Sequence, residues 1–394
     1  MLSSYAQIMR KPHALATLGY GAIGRLPLAM NPVAIVLLIS ATTDSYAYAG
    51  LASGSYTLAS ALIGPRIGRL ADLHGSRKVL IPITLVHILS MCALIKLSSS
   101  SIIFILIFAA SSGASLANIG SFTRTRWGRS LPDNKELNSA LSIESVLDEF
   151  SFVAGPACAG LLFAKFGPKF ALIAGLLFLF IGASGLSLTS DKNDFSKNPE
   201  EHKHGLLKIV LVKPLLISLI ALGCIFGGNT IAVLAVAKEA GFESQGGLLM
   251  AIYSLGSLVA GTLYGLKHWK SSNSHRYALA LFFMTIATFG PAVIHIYSIL
   301  PFLLMVSGVA ISPTLIAANA LLKDIVPNER LNEAFAFLGG AISIGITLGS
   351  AISGTFVSIT GAWNGFYFVS GCAVIATCVS FFGLVTQKKV LIHE

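Results

Sequence analysis

The chain has 394 residues, of which 54% are hydrophobic and only 11% are Asp, Glu, Lys or Arg. A soluble globular protein carries about a quarter charged residues, so cytosolic, fibrous and disordered classes are excluded, and a mean hydropathy of +0.78 agrees. The formal net charge is +10, but no basic cluster is interleaved with base-stacking aromatics, so nucleic acid is not an expected partner and a lipid bilayer is. The five cysteines, Cys92, Cys158, Cys224, Cys372 and Cys378, all sit in apolar runs without a pairing suited to zinc or redox work. They read as small packing residues, and neither a metal nor a cofactor is expected.

A helix needs about 20 apolar residues to cross about 30 Å of hydrocarbon. In chain order, runs of this kind cover 14–40, 46–66, 79–97, 102–123, 138–164, 169–189, 214–237, 246–266, 276–295, 297–322, 333–359 and 364–386, twelve spans in all. The first is not read as a cleavable signal peptide, because it is too long, is interrupted by Arg25 and has no small-residue cleavage site. With both termini inside, 22 of the 27 Lys and Arg residues fall on one side of the membrane. They include Arg66, Arg69, Arg77 and Lys78 after span 2, and Arg124, Arg126, Arg129 and Lys135 after span 4. The opposite side holds only Lys96, Lys165, Lys169 and Lys238, and positively charged loops stay in the cytoplasm. The expected location is therefore the cell (inner) membrane, with both termini cytoplasmic.

A hydrophilic stretch from about Asp191 to Lys208 divides the spans six and six, and its composition is that of a solvated linker. The expected domains are 1–190, a central cytoplasmic loop at 191–212, and 213–394. Residues 137–167 align with 331–361 at a constant offset of 194, matching Leu137 with Leu331, Asn138 with Asn332, Gly155 with Gly349, Gly160 with Gly354 and Gly167 with Gly361. The matched runs are spans 5 and 11, the same place in each half. The fold class that follows is an all-α integral membrane protein, its twelve transmembrane helices forming two six-helix bundles related by a pseudo-two-fold axis.

Between spans 2 and 3 the chain reads GPRIGRLADLHGSRK from Gly64 to Lys78. This resembles the signature loop of the major facilitator superfamily, with Gly68, Leu70, Ala71, Asp72, Gly75, Arg77 and Lys78 in register and Leu73 and Ser76 departing from it. Glycine permits a tight turn and close helix approach, and cations hold the loop against an anionic leaflet. Asp72 can pair with a helix N-terminus or an arginine, and the loop is the expected gate; a plain positive turn is the competing reading. In span 5, Gly155-Pro156-Ala157-Cys158-Ala159-Gly160 is similar to the G-P-x-x-G-G element of the superfamily's proton-coupled antiporters. The resemblance implies that Gly155, Pro156 and Gly160 form a kink and a smooth surface where the halves slide, the alternative being a packing kink.

Four ionisable residues are expected at membrane depth: Arg25 in span 1, and Glu144, Asp148 and Glu149 in span 5. Each should be paired or face water, since an uncompensated charge near the bilayer centre costs at least about 2.5–3.5 kcal/mol. Glu144 and Asp148 share a helical face, with Glu149 about 100° round from Asp148. Asp148 and Arg25 lie at similar depths, about 15–17 Å into their spans, so a pair between Arg25 and Asp148 or Glu144 is expected. One reading is proton coupling, in which burial favours a neutral carboxyl, Arg25 favours an ionised one, and alternating access changes which prevails. The other is a permanent pair that fixes packing. Arg25 is also a candidate for holding an anionic substrate group.

The family resemblance implies a central cavity lined by spans 1, 4, 7 and 10, which makes Asn31, Asn118, Asn229 and Asn319 substrate-cavity candidates, with helix–helix hydrogen bonding as the alternative for each. It also implies a monomer that moves a small-molecule substrate by alternating access. Proton-driven export is the expected activity, and proton-coupled uptake of a nutrient or organic anion the rival. No nucleotide loop, H-E-x-x-H or G-x-S-x-G is present to suggest an enzyme.

Overall fold

The structure, a computed structural model, describes residues 8–11, 13–131, 134–189, 206, 209, 211–242, 245–267, 269 and 271–393. Most of the hydrophilic stretch 191–208 lies outside the described residues. The chain is built from α1 (Ala14–Thr43), α2 (Tyr46–His74), α3 (Ser76–Lys96), α4 (Ile102–Ala114), α5 (Ile119–Ser130), α6 (Asn134–Phe166) and α7 (Phe170–Leu188). There follow α8 (Val212–Glu239), α9 (Gly246–Leu266), α10 (Asn273–Val293), α11 (Leu300–Val309), α12 (Ile311–Ile325), α13 (Leu331–Thr360) and α14 (Gly365–His393).

Among the described residues, eleven helical segments are long and apolar enough to cross a membrane; two of these join short helices, α4 with α5 and α11 with α12. The predicted second span is the one outside this set. Helix α2 has 29 residues, but Ser53, Ser55, Thr57, Ser60 and four glycines dilute its apolar surface. It packs against α1, α4 and α13, so much of it meets protein rather than lipid. Elsewhere the outward surface is strongly apolar. Leu89, Leu188, Leu279, Phe302, Ile359 and Phe382 are all at least 65% exposed, a distribution that water would not tolerate and hydrocarbon requires. The protein is a multi-pass membrane protein.

Packing divides the molecule. One apolar core draws only on residues between Met30 and Leu186, another only on residues between Leu206 and Ala376. In the first, α1 packs on α6 and α7; in the second, α8 packs on α13 and α14. The second contact is very close, because Gly345 and Gly349 bring α13 against the backbone of Ile220 and Cys224. By contrast, a Cβ at Gly50, Gly54 or Gly64 would meet nothing within 4 Å, so none of these three glycines marks a close helix approach.

The two groups of helices meet along α2 with α13, α6 with α9 and α12, and α5 with α13. A third, smaller core seals one end of this seam with residues from both groups: Trp127, Leu131, Leu137, Ala140 and Leu141 against Tyr264, Ile316 and Ala320. That end also carries Lys11, Arg77, Lys78, Arg129 and Arg330, and is called the basic end below.

Two sequence expectations change in detail. The signature stretch from Gly64 is mostly helix, because α2 continues to His74 and the turn is Gly75 alone, at φ 89°. The bases after span 4 are not in a loop either. A break at Ser115–Asn118 is followed by a new helix, α5, capped by the Asn118 side chain accepting from the Ser121 N–H, and Arg124, Arg126 and Arg129 lie on it.

Candidate functional site

The buried charges assemble at the junction of α1, α5 and α6. Arg25 is 3% exposed and Glu144 wholly buried. Arg25 Nη2 donates to Glu144 Oε2 at 2.5 Å and to Thr123 Oγ1 at 2.9 Å. Its Nη1 donates to Asp148 Oδ1 at 2.9 Å and to the Glu144 carbonyl at 3.0 Å, and Nε donates to the Gly21 carbonyl. All five guanidinium N–H groups are thereby used, and none is left for a substrate. Glu144 is held further by the Thr123 hydroxyl at 2.6 Å and the Trp127 indole N–H at 2.8 Å.

Asp148 is the more open carboxylate, its side chain 24% exposed, and it lies between two arginines, Arg25 and Arg124. Sequence reasoning placed Arg124 in a cytoplasmic loop and so counted three acids against one base. The correction is two bases, since the break before α5 turns this basic stretch back into the protein interior, where Arg124 is 8% exposed. Trp127 escaped notice for the same reason, and Thr123, the last residue of predicted span 4, carries no charge to mark it. The usable signal was the acid excess in span 5, which demands a second buried cation from a neighbouring span.

Glu149 stands apart from this network. It faces α9, where the Ser257 hydroxyl donates to its Oε1 at 2.8 Å, and Ser257 in turn bonds Ser312 of α12 at 2.9 Å. Neither arginine bonds it.

At the basic end, Asp72 is 2% exposed and caps α13. Its Oδ2 accepts from the Glu333 N–H at 2.9 Å, while Oδ1 accepts from the Asn332 N–H, the Asn332 side chain and Arg129 Nη2. A carboxylate on the second and third N–H groups of a helix meets both their unpaired donors and the positive end of the helix dipole. Arg129 continues to the Asn328 carbonyl, so α2 and α5 are both tied to the start of α13. Gly68 makes the approach possible, because a Cβ there would overlap the Asn332 and Glu333 backbone. Arg77 and Lys78 are exposed on the first turn of α3.

Because an amide keeps one acceptor but turns its NH2 onto the donors of the other oxygen and removes the counter-charge of Arg129, Asp72→Asn is expected to lower stability by about 1–3 kcal/mol. It is expected to slow opening and closing of this end far more. Thermal melting alongside turnover checks both, and unchanged turnover would reduce the loop to a topology signal.

Other expected positions fall elsewhere. Gly155 packs on Ala29 and Met30 of α1, within its own group of helices, so it is not a surface on which the two groups slide. Pro156 lies inside an unbroken α6, and Gly160 has nothing within 4 Å. Asn31 donates to the Tyr56 hydroxyl at 3.0 Å deep in the first core, the helix–helix role rather than the cavity one. Asn118 caps α5, and its Nδ2 lies against Gly339 of α13. Asn319 donates to the Leu315 carbonyl, while Asn229 is 4% exposed in α8 with an unpartnered Nδ2.

A helical membrane protein with two apolar cores, a seam sealed at one end and charges buried at mid-depth is the build of a carrier. The sequence profile of the Major Facilitator Superfamily matches residues 17–273 and 243–391, and the chain belongs to that family of transporters. It is 26% identical over 169 residues to the quinolone resistance protein NorA of Staphylococcus aureus, a match covering 42% of this chain and 41% of that protein. The chain thus spans about two-fifths of the length of the curated relatives it matches.

Among solved structures it is similar in fold to a bacterial homologue of the iron transporter ferroportin in an outward-facing state. The TM-score is 0.75 at 14% identity, covering 94% of this chain and 99% of that one. It is also similar to the human organic anion transporter MFSD10, with a TM-score of 0.68 at 14% identity and coverage of 94% and 99%. The transporter FucP in its outward conformation gives 0.67 at 12% identity, covering 94% and 98%.

Proposed function

We propose that the protein is a proton-driven exporter of a small molecule, working by alternating access as a monomer in the cell membrane. The observation that carries this reading is the charge count beside the seam. The three acids at membrane depth on α6, Glu144, Asp148 and Glu149, stand against two arginines, and the acid left over, Glu149, lies where the two groups of helices meet. A carboxyl so placed can take up a proton on one side and lose it on the other as the seam opens.

Twelve spans in two six-helix bundles, residues 1–190 and 213–394 joined by 191–212, complete the proposal, with α2 as the span whose serines and glycines keep it out of the strongly apolar set. Several features support a two-fold relation between the bundles. The cores are separate, and α6 and α13 both end on a glycine at φ 101°, Gly167 and Gly361. Spans 4 and 10 are each broken into two short helices. The basic end is taken as cytoplasmic, with both termini there, because positive charge stays inside; the arrangement described is then closed to the cytoplasm. Likeness to a quinolone resistance protein supports export. The rival, uptake of an organic anion held by Arg25, is disfavoured because that guanidinium has no N–H to offer.

The test uses everted vesicles loaded acid inside, with a fluorescent quinolone and a pH dye as probes. Accumulation of the quinolone, together with a dissipation of the pH gradient that follows addition of the quinolone, is the expected result, and an uncoupler added beforehand should abolish the accumulation. Accumulation that survives the uncoupler would remove proton coupling, and accumulation only in right-side-out vesicles would replace export by uptake.

A further inference from the structure

We infer that Glu149 is the carboxyl through which protons act on this transporter, and that its hydrogen bond to Ser257 is the clasp joining α6 to α9 at the inner limit of the sealed seam. This deepens the proton-coupled reading above and rests on it. Hydrogen bonds that cross between the two groups of helices run from the basic end as far as Glu149, among them those of Asp72 and Arg129 to residues 328–333, of Ser139 to the Gly265 carbonyl, and of Ser257 to Glu149. Ten residues separate Ser139 from Glu149, about 15 Å of helix, so the clasp sits at mid-depth. Beyond it on the same face of α6, Phe152 and Val153, three and four residues on from Glu149, are at least half exposed.

The groups around Glu149 leave it as the acid with a free choice of protonation state. On its own helix, Asp148 and Glu144 are bound to Arg25 of α1 and Arg124 of α5. Helix α7 brings no titratable group. Helix α9 brings Tyr253, buried in the same region, and Tyr264, which sits near the basic end with Arg276. Helix α12 brings Ser312, with Lys323 and Asp324 far off in its last turn. A carboxylate here has one hydroxyl donor and no bonded cation, an arrangement that burial penalises.

The neutral acid fits better. Its O–H donates to the Ser257 oxygen, and the Ser257 hydroxyl rotates to donate to the Ser312 oxygen, reversing the direction of the same two hydrogen bonds without any proton leaving a serine. Both serines are fully buried, so the reversal needs no water. A proton reaches the carboxylate from water on the open side, neutralises it and fastens the clasp. Parting of α6 from α9 then exposes the acid toward the basic end, where the proton leaves to water.

The experiment is a pulsed spin-label distance measurement on the full chain in nanodiscs. Labels go on His74→Cys and Ser271→Cys, exposed positions on either side of the basic end, with the native cysteines replaced by serine. The wild type is expected to shift from short toward long distances as pH rises. Glu149→Gln should hold the short distance at every pH, whereas Asp148→Asn should keep the shift. Ser257→Ala, which retains the acid but removes the clasp, should favour long distances already at acidic pH. A Glu149→Gln variant that shifts like the wild type, or a Ser257→Ala variant indistinguishable from it, overturns the clasp alone. A wild type that does not respond to pH overturns proton coupling itself.

Discussion

Replacing Arg25 by alanine is expected to destabilise the protein by about 3–5 kcal/mol, the cost of breaking a buried ion pair by removing one partner. The reason lies in what remains. Glu144, wholly buried, would keep only the Thr123 and Trp127 donors, and Asp148 would keep only Arg124. Two carboxylates would then share one arginine where they now share two. The consequence is specific: the double variant Arg25→Met, Glu144→Gln should melt well above Arg25→Ala, because it removes the uncompensated charge together with its partner. Arg25→Lys should fall between, since an ammonium has three donors and cannot serve the five acceptors now arranged around the guanidinium. Melting of the purified variants in nanodiscs decides the matter. If Arg25→Ala melts with the wild type, the cluster does not hold α1, α5 and α6 together.

Those three helices also show where sequence reading succeeds and where it stops. An arginine in one apolar run and acids at i and i+4 in another must find each other in lipid, because nothing else there can solvate them, and Arg25 does meet both Glu144 and Asp148. The pairing of Asp72 with a helix N-terminus was legible in the same way, from a carboxylate beside a required turn. Arg124 was not legible, because a base flanked by Arg126 and Arg129 has the composition of a loop. Only the break at Ser115–Asn118, a matter of backbone and capping, returns it to the interior. Gly155 fails differently: its sequence motif marks a close approach but not the partner, and the partner is α1. Glu149 combines both limits, for its helical phase sets it apart from Asp148, yet the serines that receive it lie more than a hundred residues away on α9 and α12.

Gly68→Ala is expected to abolish the sealed arrangement of the basic end, while Gly64→Ala, one turn earlier on α2, leaves it intact. A Cβ at position 68 would overlap the carbonyl and following amide of Asn332, which are backbone atoms at the start of α13 and cannot rotate away as a side chain would. Relief requires α2 and α13 to part, and parting breaks the three hydrogen bonds that Asp72 makes to Asn332 and Glu333. At position 64 nothing lies within 4 Å, so the same methyl group there controls for helix propensity, which favours alanine over glycine by about 1 kcal/mol in both cases. The reporter is Ala140→Cys, a fully buried position in the core that seals the seam, labelled with a membrane-impermeant maleimide in a background without native cysteines. Labelling should rise at least about tenfold with Gly68→Ala, equivalent to about 1.4 kcal/mol in favour of the opened end, and remain at background with Gly64→Ala. Transport should fall with Gly68→Ala even though the melting temperature holds, because a carrier that cannot close one end cannot alternate. Equal labelling of the two variants would mean that the α2–α13 contact is not what keeps the basic end shut, and the closure would have to rest on the Trp127 and Tyr264 core instead.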